Sequence, residues 1–215
     1  MQWINTLNNY KIPYYIYKLN KGDKVIYSKN ITYNQSIIIL YGTIYFFKTI
    51  NHHKIFPLAI LNTNNIISLK NLYNDNKYYY KLIALENTYV ISFNIKKIKR
   101  SKKQETKIFF RIIYSQQLTL KNYERMNLVL KHKYIKYRII QMILLLFLQF
   151  GIINNNSIYI PFNLSQKHLT IILGTNKTIV NQTINKLLKK MIIQYSTKKI
   201  MYIKNLSKLQ TILSC

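Results

Sequence analysis

A single glycine, Gly174, divides the segment 164–193 into two short amphipathic stretches, and this division constrains the fold more than any other feature. Leu169 and Leu173 lie four residues apart in the first stretch, as on one face of a helix. The second stretch repeats aliphatic residues at helical spacing: Ile179, Val180, Ile184, Leu187 and Leu188. The pattern predicts one helix over residues 166–173 and a second after the glycine.

The ends of these two helices also carry sequence signals. Ser165 is suited to cap the first helix, and we expect Thr175 to cap the second. Gly174 supplies the tight turn between them, where a side chain would obstruct the close approach of the helices.

The outer face of the second predicted helix is polar. Its residues can all hydrogen-bond to bases or phosphates: Asn176, Lys177, Thr178, Asn181, Gln182 and Asn185. Lysine can donate to guanine, whereas Asn and Gln can pair with adenine through two hydrogen bonds. A short strand at 158–160 precedes the pair, and a lysine-containing hairpin at 192–203 follows it. This order favours a winged helix-turn-helix over an ordinary helical hairpin with a solvated face.

The large positive charge of the chain is weaker evidence for a nucleic-acid partner than its magnitude suggests. The net charge is +28 over 215 residues, and no Asp or Glu follows Glu124. Such a charge is typical of proteins that bind nucleic acid. However, the basic residues are almost all Lys, and Ile, Asn and Tyr are abundant while Ala and Gly are scarce. This composition indicates a genome rich in A and T, such as that of an organelle, which explains part of the charge.

The first hundred residues read as a β-domain. Short β-rich runs cover 14–19, 24–27, 36–40, 43–48, 55–61 and 82–93. Turn signals fall at residues 20–23, 41–42 and 73–76. Many short strands at this spacing predict a sandwich or jelly roll.

A helical pattern without Gly or Pro follows from Ser101 to Gly151. Within it, a seam with alternating spacings of four and three includes two polar positions and five apolar ones: Phe109, Ile113, Leu120, Tyr123 and Leu130. Such a seam favours a homodimer, and the alternative is one helix packed on its own domain. A second helix is expected over residues 135–150, ending at Gly151 as a C-cap. We therefore divide the chain into a β-domain at 1–100, a dimerisation helix at 101–133 and a DNA-binding domain at 134–215.

Other chemistry finds little support in the sequence. The histidines (His52, His53, His132 and His168) lack metal-ligand spacing, and the single cysteine, Cys215, is far from them, so we expect no metal site and no disulfide. The five acids are scattered, and no nucleotide-binding or hydrolase motif occurs, so we do not expect an enzyme. The longest apolar run, 139–150, is too short to span a bilayer, and we expect no membrane association.

The combination of motifs resembles the Crp/Fnr family of dimeric transcription regulators, and within it the global nitrogen regulators of cyanobacteria and some red-algal plastids. The resemblance runs from Gly22-Asp23 to Leu206. It is most specific over residues 131–151 and 164–193, and the lysine-rich turn at 197–200 also fits. It implies an α+β fold with an N-terminal cyclic-nucleotide-binding-type β-roll (a jelly roll), a long dimerisation helix and a C-terminal winged helix-turn-helix.

The resemblance also implies roles for individual residues. Lys177, Thr178 and Gln182 occupy the family's base-reading positions, although the family usually has Arg at the first and third. Replacing Arg by Lys keeps the charge but loses the bidentate fork. Further DNA contacts are expected from Asn176, Asn181 and Lys167, and phosphate contacts from Lys198 and Lys199 in the wing.

The effector site departs further from the family. The Gly-Glu and Arg of cyclic-nucleotide binders are missing around residues 66–69, and the two arginines with which the nitrogen regulators hold 2-oxoglutarate correspond to Tyr78 and Thr119. The resemblance suggests 2-oxoglutarate as an effector, but its arginine ligands are not found. Either Lys77, Lys81 or Lys121 substitutes for them, or effector sensing has been lost.

The sequence hypothesis is a sequence-specific regulator in the plastid (chloroplast) stroma. It would bind a palindromic promoter site on double-stranded DNA as a homodimer, recruit RNA polymerase and activate nitrogen-related genes. One alternative is a nonspecific protein that binds AT-rich nucleic acid through its lysines. Another is a small-molecule sensor whose roll binds an unrecognised ligand.

Overall fold

The computed structural model describes residues 2–27, 35–50, 54–68, 78–98, 105–197 and 200–205. These form two compact units, Met1–Glu124 and Arg125–Cys215, which are described separately below. The three-part division of the chain at residues 100 and 133 stays a prediction.

In its described residues, the first unit begins with a helix, continues through eight strands and ends within a long helix. The strands are β1 (Tyr14–Leu19), β2 (Lys24–Tyr27), β3 (Gln35–Tyr41), β4 (Ile44–Ile50), β5 (Lys54–Leu61), β6 (Ile66–Ser68), β7 (Tyr78–Ala84) and β8 (Thr88–Asn94). The helices are α1 (Gln2–Asn9) and α2 (Glu105–Lys131), and a 3₁₀ turn covers Ile95–Lys97.

The eight strands form two four-stranded antiparallel sheets. Sheet A has the order β1-β8-β3-β6, and sheet B has the order β2-β7-β4-β5. Apart from the β4–β5 hairpin, strands that are neighbours in sequence thus fall in different sheets, as in a jelly roll. The β-roll predicted for this part of the chain is confirmed.

Two hydrophobic cores lie on opposite faces of sheet A. The inner core joins the two sheets through alternating residues of both: Ile37, Ile39, Ile44, Phe46, Ala59, Leu61, Ile67, Tyr80, Leu82 and Val90. The outer core packs α1 and the first half of α2 against the other face of sheet A, with Trp3, Leu7, Ile38, Ile91, Ile108 and Ile112 among its members. Sheet A is therefore buried on both faces where the helices cover it.

Several elements of this unit differ from the predicted strands, and β6 (Ile66–Ser68) was not among them. The run at 82–93 belongs to two strands, β7 and β8, which a turn joins. In this turn the Glu86 carboxylate accepts a hydrogen bond from Thr43 Oγ1 at 2.7 Å. Helix α1 was not among the predicted elements, and tertiary contacts hold it in place: the guanidinium of Arg111 lies 5.6 Å from the Trp3 ring centroid and donates to the Gln2 carbonyl at 3.1 Å. The turn expected at residues 73–76 lies outside the described residues.

Helix α2 presents two different faces. One face is buried against the unit's own core. Its residues follow alternating spacings of four and three: Ile108, Ile112, Ser115, Thr119 and Asn122. Its hydroxyl and amide groups there are hydrogen-bonded: Thr119 Oγ1 to the backbone of Ile66, and Asn122 Nδ2 to Asn65 Oδ1 at 2.9 Å. The predicted seam beginning with Phe109 runs along a neighbouring face of the same helix.

The described part of the second unit contains three helices and a four-stranded sheet. The helices are α3 (Ile135–Phe150), α4 (Gln166–Leu173) and α5 (Lys177–Lys189). The strands are β9 (Ile152–Asn154), β10 (Ser157–Tyr159), β11 (Gln194–Tyr195) and β12 (Met201–Ile203), in the order β11-β12-β10-β9. The order of strand, helix, turn, helix and hairpin is that of a winged helix-turn-helix, which confirms the predicted fold class. Strand β9 was not predicted, because its three residues are exposed and it pairs only with β10.

Gly151, between α3 and β9, is a C-cap as predicted, but its backbone has φ −66° and ψ 130° rather than a left-handed conformation. A Cβ at this position would overlap the Phe147 carbonyl oxygen and the Ile158 side chain. This position therefore requires glycine for space, because a strand packs against the end of α3.

Candidate nucleic-acid interface

Helix α4 begins with a capping box. The hydroxyl of Ser165 accepts a hydrogen bond from the His168 backbone N–H at 3.2 Å, and His168 Nδ1 accepts one from the Ser165 N–H at 3.4 Å. Histidine thus stands where Glu or Gln usually completes this motif. The predicted N-cap is confirmed, and Leu169 and Leu173 are buried as their spacing indicates.

The turn between α4 and α5 has a left-handed backbone at Gly174, with φ 60° and ψ 38°, and its N–H donates to the Thr170 carbonyl. No atom lies within 4 Å of the place a Cβ would occupy. The expectation that a side chain would obstruct the helices is therefore wrong. Glycine suits this turn because other residues adopt the left-handed conformation at an energetic cost.

Helix α5 is capped by Asn176, not by Thr175. The amide oxygen of Asn176 accepts a hydrogen bond from the Ile179 N–H at 2.9 Å. The prediction of Thr175 as the cap is wrong by one residue. Both residue types are good caps, so local preference alone does not separate them. The Thr175 hydroxyl is instead buried and has no hydrogen-bond partner.

The apolar stripe of α5 packs against α3 and α4. Val180, Ile184 and Leu187 are buried, while Ile179 and Leu188 are half-buried. Thr183 lies on the same side, where its hydroxyl donates to the Ile179 carbonyl at 2.9 Å. The packing of these side chains fixes which face of α5 points to solvent.

The opposite face of α5 carries the predicted base-reading residues. Lys177, Thr178 and Gln182 are all exposed on the first and second turns, and Asn185 is exposed one turn further on. Asn176, at the cap, is exposed as well. The structure thus brings these polar side chains together on one surface of a single helix.

Asn181 differs from its neighbours because it is half-buried. Its amide oxygen Oδ1 is buried and has no hydrogen-bond partner. A side-chain amide pairs with adenine through its oxygen and its nitrogen together. In this orientation Asn181 can offer only its nitrogen, so Gln182 is the better-placed amide on this face.

A groove of about 470 Å³ opens at the start of both helices. Two of the predicted DNA contacts, Lys167 on α4 and Lys177 on α5, line it together with Asn163, Leu164, Ser165, Gln166 and Tyr195. The first turns of both helices have no acidic residue. Their backbone N–H groups and the two lysines make this edge favourable for anions.

Tyr195 was missed by sequence reasoning. It lies on β11, and only the folding of the sheet brings it beside the start of α4. Burial raises the pKa of its phenol, whose oxygen has no hydrogen-bond partner. No local sequence signal could have placed it in the groove. Lys198 and Lys199, the predicted wing contacts, lie outside the described residues.

The proposed dimer seam on α2 is partly exposed. Phe109, Ile113 and Leu120 are 39%, 49% and 55% exposed. Leu130 is half-buried, and Tyr123 packs against the inner core of the roll. The assignment of these five residues to a dimer interface stays a prediction.

The positions suggested for an effector are occupied by uncharged side chains that already have neighbours. Tyr78 is half-buried with Lys48 Nζ 3.5 Å from its ring centroid, and Thr119 is buried and bonded to β6. Of the candidate substitutes, Lys81 is half-buried on β7 with its Nζ 5.9 Å from the Phe47 ring, and Lys121 is exposed on α2. Lys77 lies outside the described residues.

Among the described residues, no group of three or more His, Cys, Asp or Glu side chains could hold a metal ion. Within the same part of the chain, no helix combines the length and the apolar character needed to cross a membrane.

This architecture, a β-roll and a long helix followed by a winged helix-turn-helix, defines the fold of Crp/Fnr-type regulators. Solved structures with the same fold include a CRP-family transcriptional regulator from Thermus thermophilus (TM-score 0.72, 12% identity, covering 93% of this chain and 97% of that one). A CooA mutant from Carboxydothermus hydrogenoformans gives a TM-score of 0.69 at 18% identity, covering 92% and 87% of the two chains. FixK2 from Bradyrhizobium japonicum gives 0.69 at 13% identity, covering 94% and 98%.

Among curated proteins, the chain is similar to "Putative HTH-type transcriptional regulator ycf28" of Porphyra purpurea. The two are 25% identical over 198 residues, which cover 92% of this chain and 82% of that protein. No family model matches the sequence. The resemblance to Crp/Fnr regulators is confirmed, with the solved structures supporting it at the level of the fold.

Proposed function

We propose that this chain binds double-stranded DNA sequence-specifically and regulates transcription. The observation that carries the proposal is the exposed polar face of α5, where Lys177, Thr178 and Gln182 lie together above a buried apolar stripe. A helix with such a face fits the major groove, in which its first residues contact base edges. The names of the similar proteins, which describe transcription regulators, support the same function.

The groove at the start of α4 and α5 supports a role in backbone binding. Lys167 and Lys177 line it, and the residues after Glu124 include no acid to repel phosphate. Contacts to phosphate fix the position of a protein on the duplex, whereas contacts to base edges select the sequence. We assign Lys167, Asn176 and the wing lysines Lys198 and Lys199 to the first role, and Lys177, Thr178 and Gln182 to the second.

We propose further that the protein acts as a homodimer. The exposed apolar side chains of Phe109, Ile113 and Leu120 on α2 support this assembly, because a second copy would remove them from water. A two-fold dimer would recognise a pseudo-palindromic site whose halves lie about 34 to 36 Å apart.

The resemblance leads to a more specific biological proposal. We propose that the protein works in a plastid stroma, recruits RNA polymerase and activates nitrogen-related genes. The composition typical of an AT-rich genome and the similar protein in Porphyra purpurea support the plastid part of this proposal. The nitrogen and polymerase parts rest on the resemblance to the global nitrogen regulators.

A nonspecific AT-rich nucleic-acid-binding protein is the second candidate, favoured by the excess of lysine over acid. The two candidates differ in what they select. Sequencing of duplexes that the full chain retains from a random pool should yield a two-fold symmetric consensus if the chain is a regulator. Recovery of A- and T-rich duplexes without a common motif would instead favour the second candidate.

A further inference from the structure

Tyr123 is on α2, but its ring lies in the interior of the roll. It stacks on Phe46 of β4 with 6.2 Å between ring centroids, and Phe46 stacks on Tyr80 of β7 at 5.6 Å. Tyr78 meets Tyr80 edge-on at 5.8 Å. The interior therefore contains a continuous row of four aromatic rings, and α2 supplies the last of them.

Two phenols of this row, those of Tyr123 and Tyr80, have raised pKa values. Burial raises the pKa of Tyr123, and the nearby phenol of Tyr80 raises it further. Burial likewise raises the pKa of Tyr80 to about 12, with a smaller contribution from Tyr78. The raised pKa keeps Tyr123 uncharged into the alkaline range, so it is chemically a neutral phenol tethered to the helix.

The turn of α2 before Tyr123 is fixed to the same roll by polar contacts. Thr119 Oγ1 lies 3.0 Å from the Ile66 nitrogen and 2.9 Å from its carbonyl oxygen. Asn122 Nδ2 donates to Asn65 Oδ1, which also accepts from the Asn62 N–H at 2.8 Å. Within five residues, α2 therefore makes two polar attachments to the β5–β6 edge and one aromatic attachment to the interior.

Helix α2 continues without interruption past Glu124 to Lys131, into the second unit. Any side chain that sets the position of the helix at Tyr123 acts on a segment covalently continuous with the helix-turn-helix unit. We propose that Tyr123 is a built-in aromatic ligand of the roll, which keeps α2 in its DNA-binding arrangement without a diffusible effector. This inference rests on the proposed function, because it concerns what DNA binding requires.

The test removes the tethered ring and returns it as a free molecule. Tyr123→Ala removes the phenol ring and keeps Cβ, which leaves a cavity in the aromatic row that 4-methylphenol, the free analogue of the tyrosine side chain, can enter. We expect the variant to bind a duplex selected from the random pool about tenfold or more weakly, with 4-methylphenol restoring both affinity and Tm. In the wild-type protein the Tyr123 ring already fills this space. Its DNA affinity and Tm should therefore not rise with 4-methylphenol, with 2-oxoglutarate or with a cyclic nucleotide.

Three variants complete the test. Tyr123→Phe keeps the ring and should retain wild-type affinity. Tyr15→Ala removes a tyrosine that is 68% exposed on β1 and should not respond to 4-methylphenol. If Tyr123→Ala does not fold, Tyr123→Leu keeps the core apolar and should still lose affinity.

The inference is overturned if Tyr123→Ala or Tyr123→Leu folds and binds the selected duplex as tightly as wild type. It is also overturned if 2-oxoglutarate or a cyclic nucleotide tightens wild-type binding. A wild-type protein that prefers no duplex contradicts the proposed function instead. In that case the Tm tests the built-in ligand. A Tm that rises with 4-methylphenol in Tyr123→Ala alone supports the inference, and a Tm of Tyr123→Ala that does not rise overturns the inference.

Discussion

The hydroxyl of Thr119 on α2 contacts the backbone of Ile66 on β6. It accepts a hydrogen bond from the Ile66 N–H at 3.0 Å and lies 2.9 Å from the Ile66 carbonyl oxygen. Both groups are buried. A single helical side chain thus binds the backbone of β6, the last strand of sheet A, at Ile66. The position that resemblance assigns to an arginine ligand of an effector therefore has a structural role in this chain.

Replacement of this hydroxyl should lower the stability of the first unit. Thr119→Val keeps the shape of the side chain but leaves the buried Ile66 N–H without its acceptor, which costs about 1–3 kcal/mol. Thr119→Ser keeps the hydroxyl and should recover most of that loss. Urea unfolding of the two variants measures the difference, and equal stabilities would contradict the assigned role.

The two glycines of the second unit should respond differently to substitution. At Gly174 the backbone is left-handed but the space is open, so Gly174→Ala should cost about 1–2 kcal/mol and Gly174→Asn less. At Gly151 an added methyl would overlap the Phe147 carbonyl and Ile158, so both Ala and Asn should be damaging. Thermal unfolding of the four variants tests this, and a Gly174→Asn variant as unstable as Gly151→Asn would contradict it.

The adjacent residues Thr175 and Asn176 form a matched pair for testing the cap of α5. Asn176→Ala removes the acceptor of the Ile179 N–H and should cost about 0.5–2 kcal/mol. Thr175→Val replaces a buried hydroxyl that has no partner, and should be neutral or stabilising. Denaturant unfolding separates the two, and a larger loss for Thr175→Val would mean that Thr175 is the cap.

Alkaline pH should weaken the roll. The pKa of Tyr80 is raised from 10.0 to about 12 in the folded state, so folding favours its neutral form. The resulting stability is fully present below pH 10 and is lost as the pH rises towards 12. Tyr80→Phe has no phenol to ionise, and its unfolding free energy should therefore fall less steeply over this range. A parallel decline in both proteins would contradict the assignment.

The elements with complete local signals were predictable from sequence. Helix α4 has both its cap, Ser165, and its end, Gly174, encoded within ten residues, and α3 is bounded by Gly151. Strands β1 and β2 are separated by a turn containing Gly22, whose φ of 89° favours glycine. For these segments, local preference and tertiary packing agree.

The remainder depended on contacts between distant parts of the chain. Helix α1 is stabilised by Trp3 and Leu7 in a core formed with α2, and strand β9 exists because β10 pairs with it. The groove residue Tyr195 is placed by the fold of the sheet. The different reasons for Gly151 and Gly174 were likewise not readable from sequence, since one depends on Ile158 and the other on the backbone conformation.

The polar face of α5 was predictable because its buried stripe fixes the orientation of the helix. Lys177, Thr178 and Gln182 are exposed as expected, whereas the buried amide oxygen of Asn181 could not be foreseen from spacing alone. This leaves three side chains as the principal candidates for base contacts.

The most direct test of the central proposal is the ratio of Kd values for an unrelated duplex and for the duplex selected from a random pool, measured at one salt concentration. Sequence-specific regulators reach ratios of about 10³ or more. We expect Lys177→Ala and Gln182→Ala to reduce this ratio, while Lys167→Ala weakens binding to both duplexes alike. A wild-type ratio near unity, unchanged by all three substitutions, would contradict sequence-specific recognition by α5.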